Sequence, residues 1–79
     1  MLTWVAEKVE NPEAKGECFN LKEVEGKPEV YGIGPGNDTE AGLFVYEGEA
    51  CTGKATEVPE FTKAPKTVIF KSYIHDASA

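Results

Sequence analysis

Thr67-Val68-Ile69-Phe70-Lys71-Ser72-Tyr73-Ile74 (TVIFKSYI) is the stretch that decides the fold. It is the longest run of β-branched and aromatic residues in the chain, with no glycine or proline inside it. Such side chains lose rotamer freedom in a helix and fit a pleated surface. Read as one strand of period two, it places Val68, Phe70 and Ile74 on one face and Ile69, Lys71 and Tyr73 on the other.

Outward from that run the same grammar repeats. Leu43-Phe44-Val45-Tyr46 is apolar on both faces, as in a strand covered from both sides. A turn at Glu47-Gly48-Glu49 leads past Cys51 and Gly53 to a strand over Lys54 to Val58, which Pro59 ends; Glu60 to Lys66 reads as loop. Toward the N-terminus, Leu2 to Val9 reads as a first strand carrying Trp4. Asn11-Pro12-Glu13-Ala14-Lys15-Gly16 carries the cap, Pro and Gly signals of a single helical turn. Cys18 to Val24 is a second strand, followed by a Gly26-Lys27-Pro28 turn. Val30 to Ile33 is a third, ended by Gly34-Pro35-Gly36. Short strands punctuated every ~8 to 12 residues, with no amphipathic helix, predict an all-β sandwich or barrel. The length suits one domain over 1–79, near the low end of what can bury its own core.

Fourteen acidic residues against eight lysines, with no arginine, give a net charge of −6. That field repels a phosphate backbone, and no guanidinium is present to read guanine, so nucleic acid is excluded as the expected partner. Anionic membranes are disfavoured on the same ground, and no apolar run is long enough to insert.

Cys18 and Cys51 are the only cysteines, and His75 is the only histidine. Neither cysteine lies in a C-x-x-C pair, which argues against a zinc site. The pair can form a disulfide or remain as two buried thiols; the disulfide is favoured in so small a domain. Asn37-Asp38-Thr39 is a sequon in the turn-rich stretch Gly34 to Gly42, and it makes Asn37 a possible glycosylation site. Together these features predict secretion. No basic n-region or apolar h-region is present, so secretion implies a leader removed ahead of Met1.

Tyr46-Glu47-Gly48-Glu49-Ala50-Cys51-Thr52-Gly53 sets an aromatic residue five positions before a second bulky one, followed by x-Gly. This resembles the Greek-key signature of the βγ-crystallin superfamily, with Cys51 where a second aromatic usually stands, a departure similar to small secreted fungal members. A looser echo runs through Trp4, Cys18-Phe19-Asn20-Leu21 and Val30-Tyr31-Gly32-Ile33. The resemblance implies a small Greek-key β-sandwich of about seven or eight strands, built from two degenerate motifs over about 1–36 and 37–79. It also implies where calcium would bind, but Lys27-Pro28-Glu29-Val30-Tyr31-Gly32 and Lys63-Ala64-Pro65-Lys66-Thr67-Val68 lack the oxygen ligands that calcium needs. No metal and no cofactor is expected.

Other chemistries fare no better. Asp38, Glu40, Glu47 and Glu49 form an acidic group that reads as solvated charge rather than a weak cation site. Gly48 to Lys54 approaches a phosphate-binding loop, yet Ala55 replaces the required hydroxyl and no helix has room to follow. Gly32 to Gly36 is likewise a turn and not a dinucleotide loop. A cysteine with His75 is the sole conceivable dyad, and Asp76 beside it would point away on a strand. No enzyme activity is expected. Trp4, Tyr31 and Tyr73 are candidates for contact with a sugar or protein, each weighed against a place in the core. The leading expectation is a secreted, monomeric, noncatalytic interaction protein, effector-like, whose loops such as Gly34 to Gly42 meet a protein or glycan. The alternatives are a protease inhibitor or toxin presenting Pro59-Glu60-Phe61-Thr62-Lys63 as a rigid extended loop, or a weak carbohydrate- or cation-binding module.

Overall fold

The structure is a computed structural model that describes residues 2–7 and 16–76. Eight strands are present: β1 (Leu2–Ala6), β2 (Cys18–Asn20), β3 (Gly32–Asn37), β4 (Gly42–Tyr46), β5 (Ala55–Val58), β6 (Thr62–Lys63), β7 (Ile69–Phe70) and β8 (Ser72–Asp76). They form two sheets, one in the order β1-β3-β6 with β7 also paired to β3, the other β2-β8-β4-β5. The fold is all-β, a small sandwich, and its helical content among the described residues is two single 3-10 turns at Lys22–Val24 and Glu49–Cys51. Residues 8–15, and with them most of the helical turn expected over Asn11 to Gly16, lie outside the described residues.

The TVIFKSYI run is not one strand. It turns a corner at Lys71, so that β7 belongs to the first sheet and β8 to the second. Both backbone groups of Lys71 are held at the corner: its N–H donates to the Tyr46 carbonyl at 2.8 Å, and its carbonyl accepts from the Leu21 N–H at 2.8 Å. The corner shifts the alternation by one residue. Phe70 is buried before it, and Tyr73 and His75 are buried after it, while Ile74 is half-buried. Strands that switch sheets by a bend are a known way to join the two layers of a sandwich. The Lys71 side chain is 5% exposed, and its Nζ donates to the Lys27 carbonyl at 2.8 Å and sits 4.7 Å from the centre of the Tyr31 ring. Carbonyl and ring face together satisfy the buried cation.

Gly34-Pro35-Gly36 does not end a strand, as its punctuation predicts, but lies inside β3. β1 runs parallel to β3, with Thr3 opposite Ile33 and Val5 opposite Gly36, so Gly34 and Pro35 face Trp4 across an irregularity in the ladder. A bulge suits Pro35, which has no N–H to donate, and Gly34 at φ +55°. Pro35 still accepts from Ala64 N–H at 2.8 Å, and Gly34 donates to the Val68 carbonyl at 3.0 Å. The division expected between 36 and 37 thus falls within a strand. The stretch expected as one strand over Cys18 to Val24 is also divided, into β2 and the first 3-10 turn.

Between the sheets, Phe70, Leu21, Leu43, Val45 and Val58 are buried to 2% exposure or less. Gly32 stands opposite Phe70 in the β3–β7 ladder with no room for a side chain: a Cβ there would lie 2.6 Å from Phe70 Cε1 and 2.7 Å from Leu21 Cδ2. In the second half of the chain, the β4–β5 hairpin is followed by β6 and β7 in the opposite sheet. The chain then returns as β8, beside β4 on the side away from β5. That path is a Greek key whose third member has crossed to the other layer.

Candidate functional site

The hairpin between β4 and β5 is a folded one, and it anchors β2. Ala50 and Cys51 take left-handed conformations (φ 55° and 56°), and Gly53 follows at φ 83°. Non-glycine residues stay there only when their surroundings hold them. The Ala50 N–H donates to Asn20 Oδ1 at 2.8 Å, and the Cys51 N–H donates to Ser72 Oγ at 2.7 Å. The Ser72 hydroxyl in turn donates to the Gly48 carbonyl, and the Thr52 hydroxyl donates to the Glu49 carbonyl at 2.7 Å. Cys51 is bonded to Cys18 at the start of β2, with a Cα–Cα distance of 6.1 Å. The edge strand β2 is therefore tied to the hairpin by a covalent bond at Cys18 and a hydrogen bond at Asn20.

So fixed, β2 forms one wall of a cleft of about 280 Å³, lined by Trp4, Phe19, Asn20, Leu21, Lys22, Glu23 and Tyr73. Phe19 stands opposite Tyr73 in the β2–β8 ladder, and their rings stack at 5.7 Å with 26° between planes. Trp4 reaches over from β1 in the other sheet, 4.7 Å from Tyr73 and 5.4 Å from Phe70. Tyr73 and Phe70 are buried, whereas Trp4 and Phe19 are half-buried. The polar rim comes from Asn20 at the end of β2 and from Lys22 and Glu23, both exposed, on the 3-10 turn. The cleft combines an aromatic wall with an amide and one charge of each sign. Among the described residues Glu23 is the carboxylate that lines it.

No family model, curated protein or solved structure matches this chain.

The structure joins Trp4 and Tyr73 in one cleft and separates Tyr31, whose ring covers Lys71. The disulfide expected between Cys18 and Cys51 is present, and neither thiol is left for a dyad with His75. His75 is 4% exposed in β8, edge-on to Tyr73 at 5.7 Å. Asn37 departs from the expectation of an exposed glycan acceptor: it is 2% exposed. Its Nδ2 donates to the carbonyls of Ala41 at 2.7 Å and Val58 at 3.0 Å, and its Oδ1 accepts from the backbone and hydroxyl of Thr39. Gly34 to Gly42, expected as a loop, is mostly taken up by the ends of β3 and β4. Only Asp38 and Glu40 in it are exposed.

Asp38, Glu40, Glu47 and Glu49 are all exposed, and no group of three or more metal-ligating residues occurs among the described residues. The phosphate-loop-like segment 48–54 leads into strand β5. Among the described residues no helix is long and apolar enough to cross a membrane. Pro59 to Lys63 is a tight turn over Pro59 to Thr62 that leads into strand β6, and not an extended loop. Thr62 N–H and hydroxyl both bond to the Pro59 carbonyl, and Phe61, 65% exposed, has φ 55°. Phe19, Asn20, Lys22 and Glu23 were not legible as site residues. The alternation in Cys18-Phe19-Asn20-Leu21 places Phe19 and Leu21 on one face, but nothing local shows that Trp4 closes over it.

Proposed function

We propose that this chain is an extracellular, noncatalytic binding module that presents the Trp4–Phe19–Tyr73 cleft to a partner. The observation that carries the reading is the Cys18–Cys51 bond, because such bonds persist in oxidising compartments and are rare where glutathione keeps thiols reduced. Closing a loop of sequence separation 33 stabilises a chain by about 4 kcal/mol on the chain-entropy account. For a domain of this size that is a large share of a typical stability of roughly 5 to 15 kcal/mol. The same bond sets one wall of the cleft, so compartment and binding are linked. Both cysteines are taken up by that bond, and the cleft offers an aromatic wall with a polar rim, which suits binding.

A relationship to the βγ-crystallins belongs to the same proposal. It is supported by the β5-β4-β8 order and by Ser72 bonding into the Tyr46–Gly53 hairpin. The parallel pairing of β1 with β3 is a departure in the first half. Fractionation of the source cells followed by intact-mass measurement without reductant tests the reading. Protein recovered outside the cells, lighter by two hydrogens than the reduced chain, is the expected result. Reduced protein confined within the cells would overturn it.

A further inference from the structure

We propose that the cleft between β1 and β2 binds a neutral sugar ring of a glycan. This rests on the reading of the chain as an extracellular binding module and names its ligand. A pyranose ring has an apolar C–H face and an equator of hydroxyl groups. The C–H face suits the electron-rich faces of aromatic rings, here the half-buried Trp4 and Phe19 backed by the buried Tyr73. The hydroxyls need donors and acceptors arranged around that wall, and Asn20, Lys22 and Glu23 supply both kinds.

Size narrows the ligand further. About 280 Å³ lies at the bottom of the ~300 to 1,000 Å³ range of ligand pockets, so it holds one ring of a chain and not an extended peptide. Charge narrows it again. A net −6 repels sulfated or phosphorylated polymers, which leaves uncharged glycans. The wall is also set before the ligand arrives, because Cys51 and Ala50 hold β2 on either side of Phe19. Preorganisation of this kind removes part of the ordering cost of binding.

Trp4 is the only tryptophan, so its emission reports on the cleft alone. The oxidised protein is titrated with the hexaoses of β-1,3-glucan, cellulose, chitin and mannan, following Trp4 emission and the amide shifts of Phe19, Asn20, Lys22 and Tyr73. At least one hexaose should give a saturable change confined to the cleft, while dextran sulfate gives none. Phe19→Ala should weaken that binding by about ten-fold, which is the loss of roughly one aromatic contact. The exposed pair Lys22→Ala and Glu23→Gln, which leave the core untouched, should weaken it several-fold at unchanged Tm. No saturable change with any of the four at millimolar concentration, or shifts lying only outside the cleft, would overturn the sugar assignment. That failure is separable from failure of the underlying reading, since a disulfide-bonded, exported protein that binds no hexaose loses only the ligand.

Discussion

Single residues show where sequence letters carry two meanings. Asn37-Asp38-Thr39 spells a glycan acceptor and also spells an Asx turn, in which the asparagine oxygen accepts from the residue two positions on. The structure uses the second meaning, with Thr39 N–H 3.1 Å from Asn37 Oδ1. No local signal distinguishes the two, because what buries Asn37 is the distant Val58 carbonyl. Asn37→Ala leaves the buried carbonyls of Ala41 and Val58 without their amide donor. It should cost about 3 kcal/mol, measured by urea unfolding. The disulfide was legible because two cysteines in a small chain admit few arrangements. Gly32 was not, since its need to be glycine comes from Phe70, far along the chain and opposite it on the neighbouring strand. Gly32→Ala should destabilise by about 1 to 3 kcal/mol through overpacking against Phe70 and Leu21, with the same denaturant slope.

At the scale of elements, periodicity located strands well and corners poorly. TVIFKSYI alternates as one strand because a single-residue slip leaves a pattern that is still mostly apolar. The sheet switch at Lys71 is specified by tertiary partners, namely the Tyr46 and Leu21 backbones and the Lys27 carbonyl. Conversely, Gly-Pro-Gly reads as a stop, yet small residues suit a strand where Val5 packs against Gly36 and the Lys66 backbone approaches Gly34. The Tyr46–Gly53 hairpin was legible from its spacing, but the strut that holds it was not. Ser72→Ala removes the acceptor for Cys51 N–H and the donor to the Gly48 carbonyl. The expected loss is about 2 kcal/mol, and hydrogen exchange at the Cys51 amide should accelerate more than at β4 amides.

Taken whole, the molecule joins two short-stranded sheets through the corner at Lys71, an aromatic contact across the layers and a buried amide, while one covalent tie fixes the edge strand of the second sheet. Its fold class followed from strand count and turn spacing; its cleft did not, because Trp4 and Phe19 belong to edge strands of different sheets. Reduction, or the Cys18→Ser and Cys51→Ser pair, should lower stability by about 4 kcal/mol. It should also free β2, with Trp4 emission shifting to the red before global unfolding. The buried amide has a consequence for how the protein is made. In a host that glycosylates, an oligosaccharyl transferase would meet Asn37 on a nascent chain, before Ala41 and Val58 have closed around it. A chain that acquired the sugar would then be unable to shut its two layers and would be held back as misfolded. Export from a glycosylating host should therefore yield folded protein with an unmodified Asn37 by peptide mass mapping. Inhibiting the transferase, which removes the competing reaction and leaves the Asn37–Thr39 bonds intact, should raise the secreted fraction according to how often folding loses that race.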